Sequence, residues 1–323
     1  MNAAPGMDGM GGMPGTVTEV PAYWVPVAVV ALLVVAAAAA VLDGAGAARA
    51  GGTGTAAGLR RPLTQVARLL RQRRRVPVSA DVLLWRIGGA SLLVAAMSMI
   101  VVVPWGRWTL ADLSVGLVWF NAMDILVWAA VWLAGWGANS FLSLVGGYRF
   151  LALALSYELP LMFAIIAPAV GAASLRMSTI VSAQQDLWFV VWMPVAFIVF
   201  CLCVLAFSVW GPLGTPAGAD VAGGVLVEAS GIDRLLILAG RYALLVAGSA
   251  VGVTIFLGGG AGPLLPDWLW VVVKTLALLA VLVLLRRRLP AVRSDRFAEV
   301  GWLILLPLTL IQLLVVSVIV LGG

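Results

Sequence analysis

Histidine is absent from the 323 residues, cysteine appears twice, and Lys274 is the only lysine among twenty basic residues. Without histidine there is no histidine-ligated haem or zinc, and no Ser-His-Asp catalysis. Two cysteines cannot hold a four-thiolate iron–sulfur cluster. Cys201 and Cys203 stand at i and i+2 in one apolar segment. On a helix they point apart, so they form neither a disulfide nor a metal site. No Gly-rich phosphate loop ending in Gly-Lys-Ser/Thr occurs, and Gly258-Gly259-Gly260 reads as a turn. Charge is scarce as well, at 11% of residues, where soluble domains carry about 25%. Together with 63% hydrophobic residues and a mean hydropathy of +1.10, this excludes an ordinary soluble domain. Any electrons handled here come from a partner, and any protons move on carboxylates, arginine, lysine, tyrosine, hydroxyls and water.

What remains is an all-α polytopic membrane protein. Eight apolar runs approach the roughly 20 residues a spanning helix needs, near 24–42, 82–103, 110–134, 150–170, 187–209, 235–257, 268–285 and 300–321. Fifteen arginines fall in the odd-numbered loops and two, Arg107 and Arg176, in the even-numbered ones. Counting positive charge this way places the odd loops in the cytoplasm and both termini on the outer face. The net charge of +6 is thereby a topology signal rather than a nucleic-acid footprint. The expected organisation is a disordered outward tail over 1–23 and one membrane domain over 24–323, with a basic cytoplasmic loop at 43–81. The tail has no positive n-region, so the first run reads as a retained span. Met7, Met10 and Met13 have the thioether spacing that can hold Cu(I), but in so glycine-rich a tail they read as low complexity. The arginines between Arg60 and Arg75 suit a docking surface, an anionic-lipid contact or a topology signal.

An ionisable group inside an apolar span is costly and usually lines a protein or water path. Asp124, Glu158, Arg241 and Lys274 are the candidates. Glu158, within Ser156-Tyr157-Glu158-Leu159-Pro160, stands out most. Asp124 lies on the neighbouring span, and Arg241 is placed to neutralise a carboxylate. Lys274 reads equally as a functional group or as a side chain snorkelling to the outer surface.

Gly135-Trp136-Gly137-Ala138-Asn139, Ser143-Leu144-Val145-Gly146, Arg149 and Ser156-Tyr157-Glu158 resemble the central signature of respiratory complex I subunit 1, known in bacteria as the H-type membrane component of NADH-quinone oxidoreductase. The likeness continues through Phe256-Leu257-Gly258-Gly259, Gly262-Pro263-Leu264-Leu265-Pro266, Lys274-Thr275, Leu289-Pro290, Gly301-Trp302 and Leu306-Pro307-Leu308. It covers the chain from about Val82 onward. The resemblance implies eight spans with both ends outside, and a role in anchoring the quinone site between a peripheral iron–sulfur arm and antiporter-like membrane subunits. It implies a proton path that includes Glu158 and Glu228, to which the intramembrane charges Asp124, Arg241 and Lys274 are added as candidates. It also implies a quinone-junction or docking role for Arg149, Tyr157 and Asn139. No cofactor is expected on this chain alone; quinone is a substrate shared with partner subunits, and membrane lipid is the remaining partner.

Departures from the family's pattern are equally specific. Where the family has a Glu-Arg-Arg-rich motif after the first span, this chain reads Leu42-Asp43-Gly44-Ala45-Gly46. The fifth loop keeps Pro212, Pro216, Glu228, Ser230 and Gly231 but little of the family's acidic run. Arg241 stands before Tyr242 where the family has a glutamate. The expectation is a divergent member in a bacterial plasma membrane, coupling electron transfer to proton translocation with degenerate quinone-site motifs. The alternatives are a non-catalytic assembly subunit, the membrane subunit of a related energy-converting hydrogenase, and a stand-alone ion transporter.

Overall fold

The computed structural model describes residues 17–52 and 54–322. Met7, Met10 and Met13 lie outside the described residues. The structure is about 73% helical: α1 Val25–Ala50, α2 Thr55–Arg71, α3 Val82–Ile100, α4 Gly116–Gly137, α5 Phe141–Gly171, α6 Met177–Ser182, α7 Phe189–Trp192, α8 Pro194–Phe207, α9 Gly231–Phe256, α10 Asp267–Arg288, α11 Ser294–Val300 and α12 Leu306–Gly322. A π-helical turn, Gly301–Leu305, joins the last two into one continuous helix. Among the described residues, seven helices are long and apolar enough to cross a membrane, and helix is the form in which a backbone in lipid satisfies its own hydrogen bonds.

The fifth expected span, 187–209, is broken into α7 and α8. Pro194 supplies no N–H and pushes the preceding residue out of the helical region; Met193 sits at φ −121°, ψ 46°. The expected basic loop is also largely helical. α1 runs on to Ala50 before α2 begins. In α2, Leu59, Leu63, Val66, Leu69 and Leu70 recur at three- and four-residue spacing between Arg60, Arg61, Arg68 and Arg71, the pattern of a helix lying along an interface. Leu69 is buried, while Leu63 and Leu70 stay exposed. Residues 17–23 differ from the expected disordered tail. Thr18–Glu19 (β1) pairs in parallel with Trp108–Thr109 (β2), and Glu19 accepts the Asp112 N–H at 2.7 Å.

α9 is the most enclosed of the long helices, packed by α1, α2, α3, α8 and α10. Close helix approach in an apolar medium depends on small residues rather than on water expulsion. Gly88 of α3 shows this, since a Cβ there would lie 2.7 Å from the Ala130 carbonyl of α4. The pairings leave two polar places in the bundle: one between α4 and α5, the other among α1, α2, α9 and α10.

Candidate functional site: a buried carboxyl pair and an arginine-walled cavity

Asn121, Asp124 and Trp128 occur at i, i+3 and i+7 on α4, so all three face α5. Asp124 is fully buried. Trp128 Nε1 donates to the Tyr157 hydroxyl at 3.1 Å, and the Tyr157 hydroxyl lies 3.2 Å from Asp124 Oδ1. Indole N–H can only donate, so the tyrosine accepts from Trp128 and directs its own proton at Asp124. Asn121 Nδ2 donates to Glu158 Oε1 at 3.1 Å. The Asp124 and Glu158 side chains lie beside each other at the α4–α5 seam. Asp124 Oδ2, Glu158 Oε2 and Asn121 Oδ1 are buried without a protein partner among the described residues. Buried oxygens seldom stay unpaired, so this cluster is suited to sharing a proton.

A tight helix contact holds Glu158 in place. Pro160 lies inside α5, and having no N–H it leaves the Ser156 carbonyl without its usual i+4 donor. Gly301 of the π turn sits directly against that carbonyl, where a Cβ would come within 2.5 Å.

The second place is a cavity of about 460 Å³ lined by α1, α2, α9 and α10 together with Trp210. Leu33, Ala36, Ala37 and Ala40 form an apolar wall, and Asp43, Arg61, Arg241, Tyr242, Arg286 and Arg287 the polar end. Asp43 is already engaged. Arg287 Nη2 reaches Oδ1 at 2.7 Å, Arg286 Nη1 reaches Oδ2 at 3.1 Å, and the Tyr242 hydroxyl is 3.4 Å from Oδ2. Trp210 stacks edge-on against Tyr242 at 4.9 Å and lies under both Arg286 and Arg241. A smaller cavity of about 380 Å³, lined by Arg149, Asp220, Arg241 and Arg286 among others, adjoins the 211–223 loop.

The residues singled out by sequence are thus dispersed. Asp124, Tyr157 and Glu158 come together. Arg241 does not join them: it faces α1 and α10, donates to the Val209 carbonyl, and makes no ion pair among the described residues. Expected as a counter-charge for the carboxylates, it is corrected to a wall of the cavity, because its position on α9 turns it away from the α4–α5 seam. Glu228 accepts from Ser140 Oγ at 2.6 Å, where α5 begins. Arg149 donates to the Gly223 carbonyl at 3.1 Å. Asn139, at φ 45°, makes the α4–α5 turn, a backbone region asparagine tolerates, and donates to the Ser79 carbonyl at 2.9 Å. Lys274 does not snorkel. Its ammonium donates to the carbonyls of Leu257, Gly259 and Ala261 at 2.7, 3.0 and 2.7 Å and lies 4.1 Å from the Trp188 ring. Sequence reasoning missed Asn121, Trp128, Asp43 and Trp210. The Asn121–Asp124–Trp128 spacing was available as a signal; the Asp43 clasp, formed across more than two hundred residues, was not.

The profile of the NADH dehydrogenase family matches residues 19–317. The chain is similar to an H-type component (number 2) of the NADH-quinone oxidoreductase of Geobacter sulfurreducens, 35% identical over 269 residues, covering 80% of this chain and 82% of that one. It is similar to the corresponding H-type component (number 1) of Geobacter metallireducens at 34% over the same length and shares. With a match running nearly end to end, the chain belongs to the NADH dehydrogenase (complex I subunit 1) family, whose members are the H-type membrane components of NADH-quinone oxidoreductase.

Proposed function

We propose that this chain is the junction subunit of a complex-I-like NADH-quinone oxidoreductase in a bacterial plasma membrane. It joins an iron–sulfur peripheral arm to antiporter-like subunits and couples electron transfer to proton movement. The observation that carries the coupling role is the Asn121–Asp124–Trp128–Tyr157–Glu158 cluster, which sets the fully buried Asp124 carboxyl beside the half-buried Glu158 inside a spanning bundle. Two carboxyl groups placed side by side, each with an oxygen free of protein partners among the described residues, can pass a proton from one to the other. Tyr157, fixed by Trp128, delivers a hydrogen bond to one end of the pair, and Asn121 steadies the other. The cavity among α1, α2, α9 and α10 gives quinone its route: an apolar wall for the isoprenoid tail, with Tyr242 and Trp210 at the head. Arginine counting supports an orientation with that polar end at the cytoplasmic surface and both termini outside.

The test is Glu158→Gln, which removes charge at nearly constant shape. Quinone-linked proton translocation in membranes should fall about 100-fold, the scale of losing a positioned proton-transfer group, with assembly intact. Unchanged coupled turnover would make Glu158 structural. A second reading, an assembly subunit that binds no quinone, is favoured by the arginines crowding the cavity. Photoaffinity quinone labelling that excess quinone competes away would rule it out.

A further inference from the structure

The polar end of the cavity is over-supplied with positive charge. Four arginines line it against one carboxylate, Asp43, and Arg286 and Arg287 already take both Asp43 oxygens. Arg241 is left over. It sits ten residues beyond the start of α9, about 15 Å along the helix at 1.5 Å per residue, and its Nε is buried without a hydrogen-bond partner. Trp210 lines the same cavity at 1% exposure, and its indole N–H has no partner either. Arg241 gives one N–H to the Val209 carbonyl, but its Nε and the Trp210 indole N–H both lack acceptors among the described residues, in a place where an uncompensated charge is costly. A neutral quinone ring would satisfy a donor and leave the charge in place. An acceptor-only anion satisfies both, and guanidinium groups match phosphate oxygens in geometry. The space is larger than a phosphate needs, and its other wall is Leu33, Ala36, Ala37 and Ala40, with Leu33 and Ala37 open to the helix surface.

We propose that this cavity is a binding site for an anionic phospholipid, its phosphate held by Arg241, Arg286 and the Trp210 N–H and its acyl chain laid along α1. Basic pockets between spanning helices take such head groups. The site rests on the reading of this cavity as open to the bilayer, not on its accepting quinone. A lipid seated there fixes α2 against α1 and α9 and competes with any quinone for the same entrance.

The full chain, purified in mild detergent and delipidated, would be titrated with dioleoyl phosphatidylglycerol, dioleoyl phosphatidylcholine, decylubiquinone and inorganic phosphate, with native mass spectrometry reading the bound species. Phosphatidylglycerol should bind about tenfold more tightly than phosphatidylcholine, a step worth about 1.4 kcal/mol. Arg241→Gln should erase that preference while Arg241→Lys keeps part of it. Arg61→Gln, at an exposed position on α2, should weaken the preference two- to threefold and covers the case in which the deeper variant fails to fold. Equal affinity for the two lipids, or an unchanged preference in the folded Arg241→Gln variant, would overturn the proposal. So would inorganic phosphate binding as tightly as phosphatidylglycerol, which would leave a free-ion site only. Quinone binding without any lipid preference defeats this site and spares the quinone route; the reverse pattern supports the lipid site and removes quinone from this cavity.

Discussion

At the scale of single residues, the chain places its few charges where each has a definite set of neighbours. Asp124 and Glu158 face each other across the α4–α5 seam, whereas Lys274 is tied to three carbonyls. That contrast separates residues whose loss changes chemistry from residues whose loss changes stability. Lys274→Met should leave the three carbonyls of the 257–261 turn without donors, costing about 2–4 kcal/mol at the usual penalty for unsatisfied buried groups. Thermal unfolding of the detergent-solubilised protein should show it, and an unchanged midpoint would mean that water replaces the ammonium. Gly301→Ala meets the Ser156 carbonyl, a backbone atom with little room to move. It should cost about 1–3 kcal/mol as overpacking does, and it should lower coupled turnover by disturbing Glu158 two residues on. Stability loss with coupling per assembled complex unchanged would separate the π turn from the carboxyl pair.

At the scale of elements, α2 is the piece whose placement depends most on polar contacts. Arg74, just beyond its end, reaches the buried Asp233 at the start of α9 at 3.3 Å. The Arg75 N–H donates to Ser230 Oγ at 2.7 Å. Arg74→Gln takes this partner from the buried Asp233; with Arg74 itself partly exposed, the cost should be about 1–3 kcal/mol, the scale of a charged hydrogen bond or an unsatisfied buried group. Because the pair closes the segment that follows α2, hydrogen exchange over residues 55–75 should rise while α3 and α9 stay protected. Uniform deprotection of all three helices would mean that α2 unfolds only with the bundle. The α2 pattern of leucines between arginines was visible in the sequence, yet the same run also fits a solvated basic loop, and only packing against α1 and α9 decides between them. The α7–α8 break is a similar case: Pro194 marks it in the sequence, but a spanning helix tolerates proline when neighbours re-satisfy the backbone.

For the whole molecule, arginine counting and the path of the chain make a joint claim about sidedness. Ser79 lies in the turn before α3, beside Asn139, and Leu264 in the turn before α10. Cysteines placed singly at these positions should react with an impermeant thiol reagent from opposite sides, Ser79→Cys from the cytoplasm and Leu264→Cys from outside. Cys201 and Cys203 sit within α8, the latter fully buried, which keeps the background low. Labelling of both from one side would contradict the orientation. The assembly claim is tested by purifying the native protein under mild conditions: an iron–sulfur arm and antiporter-like subunits should come with it, and a lone chain would argue for a transporter or a retired scaffold.

The sequence by itself determined the membrane class, the order of the apolar runs, the family, and the Tyr157–Glu158 half of the carboxyl site. Composition, run length and motif order are local properties, and the solvent penalty on polar backbone makes them decisive. Only the tertiary structure decided which charges meet. Asp124 and Glu158 lie on neighbouring spans by sequence alone, but whether they face each other depends on helix rotation. Arg241 turns toward Asp43 and Arg286 instead of toward that pair, because α9 is surrounded on every side and one sequence gives no rule for which neighbour a given face receives. The anion-seeking cavity exists for the same reason. It is assembled from the neighbours α1 and α2 together with α9 and α10 from the far part of the chain, and no local pattern encodes a charge surplus that arises when four helices meet.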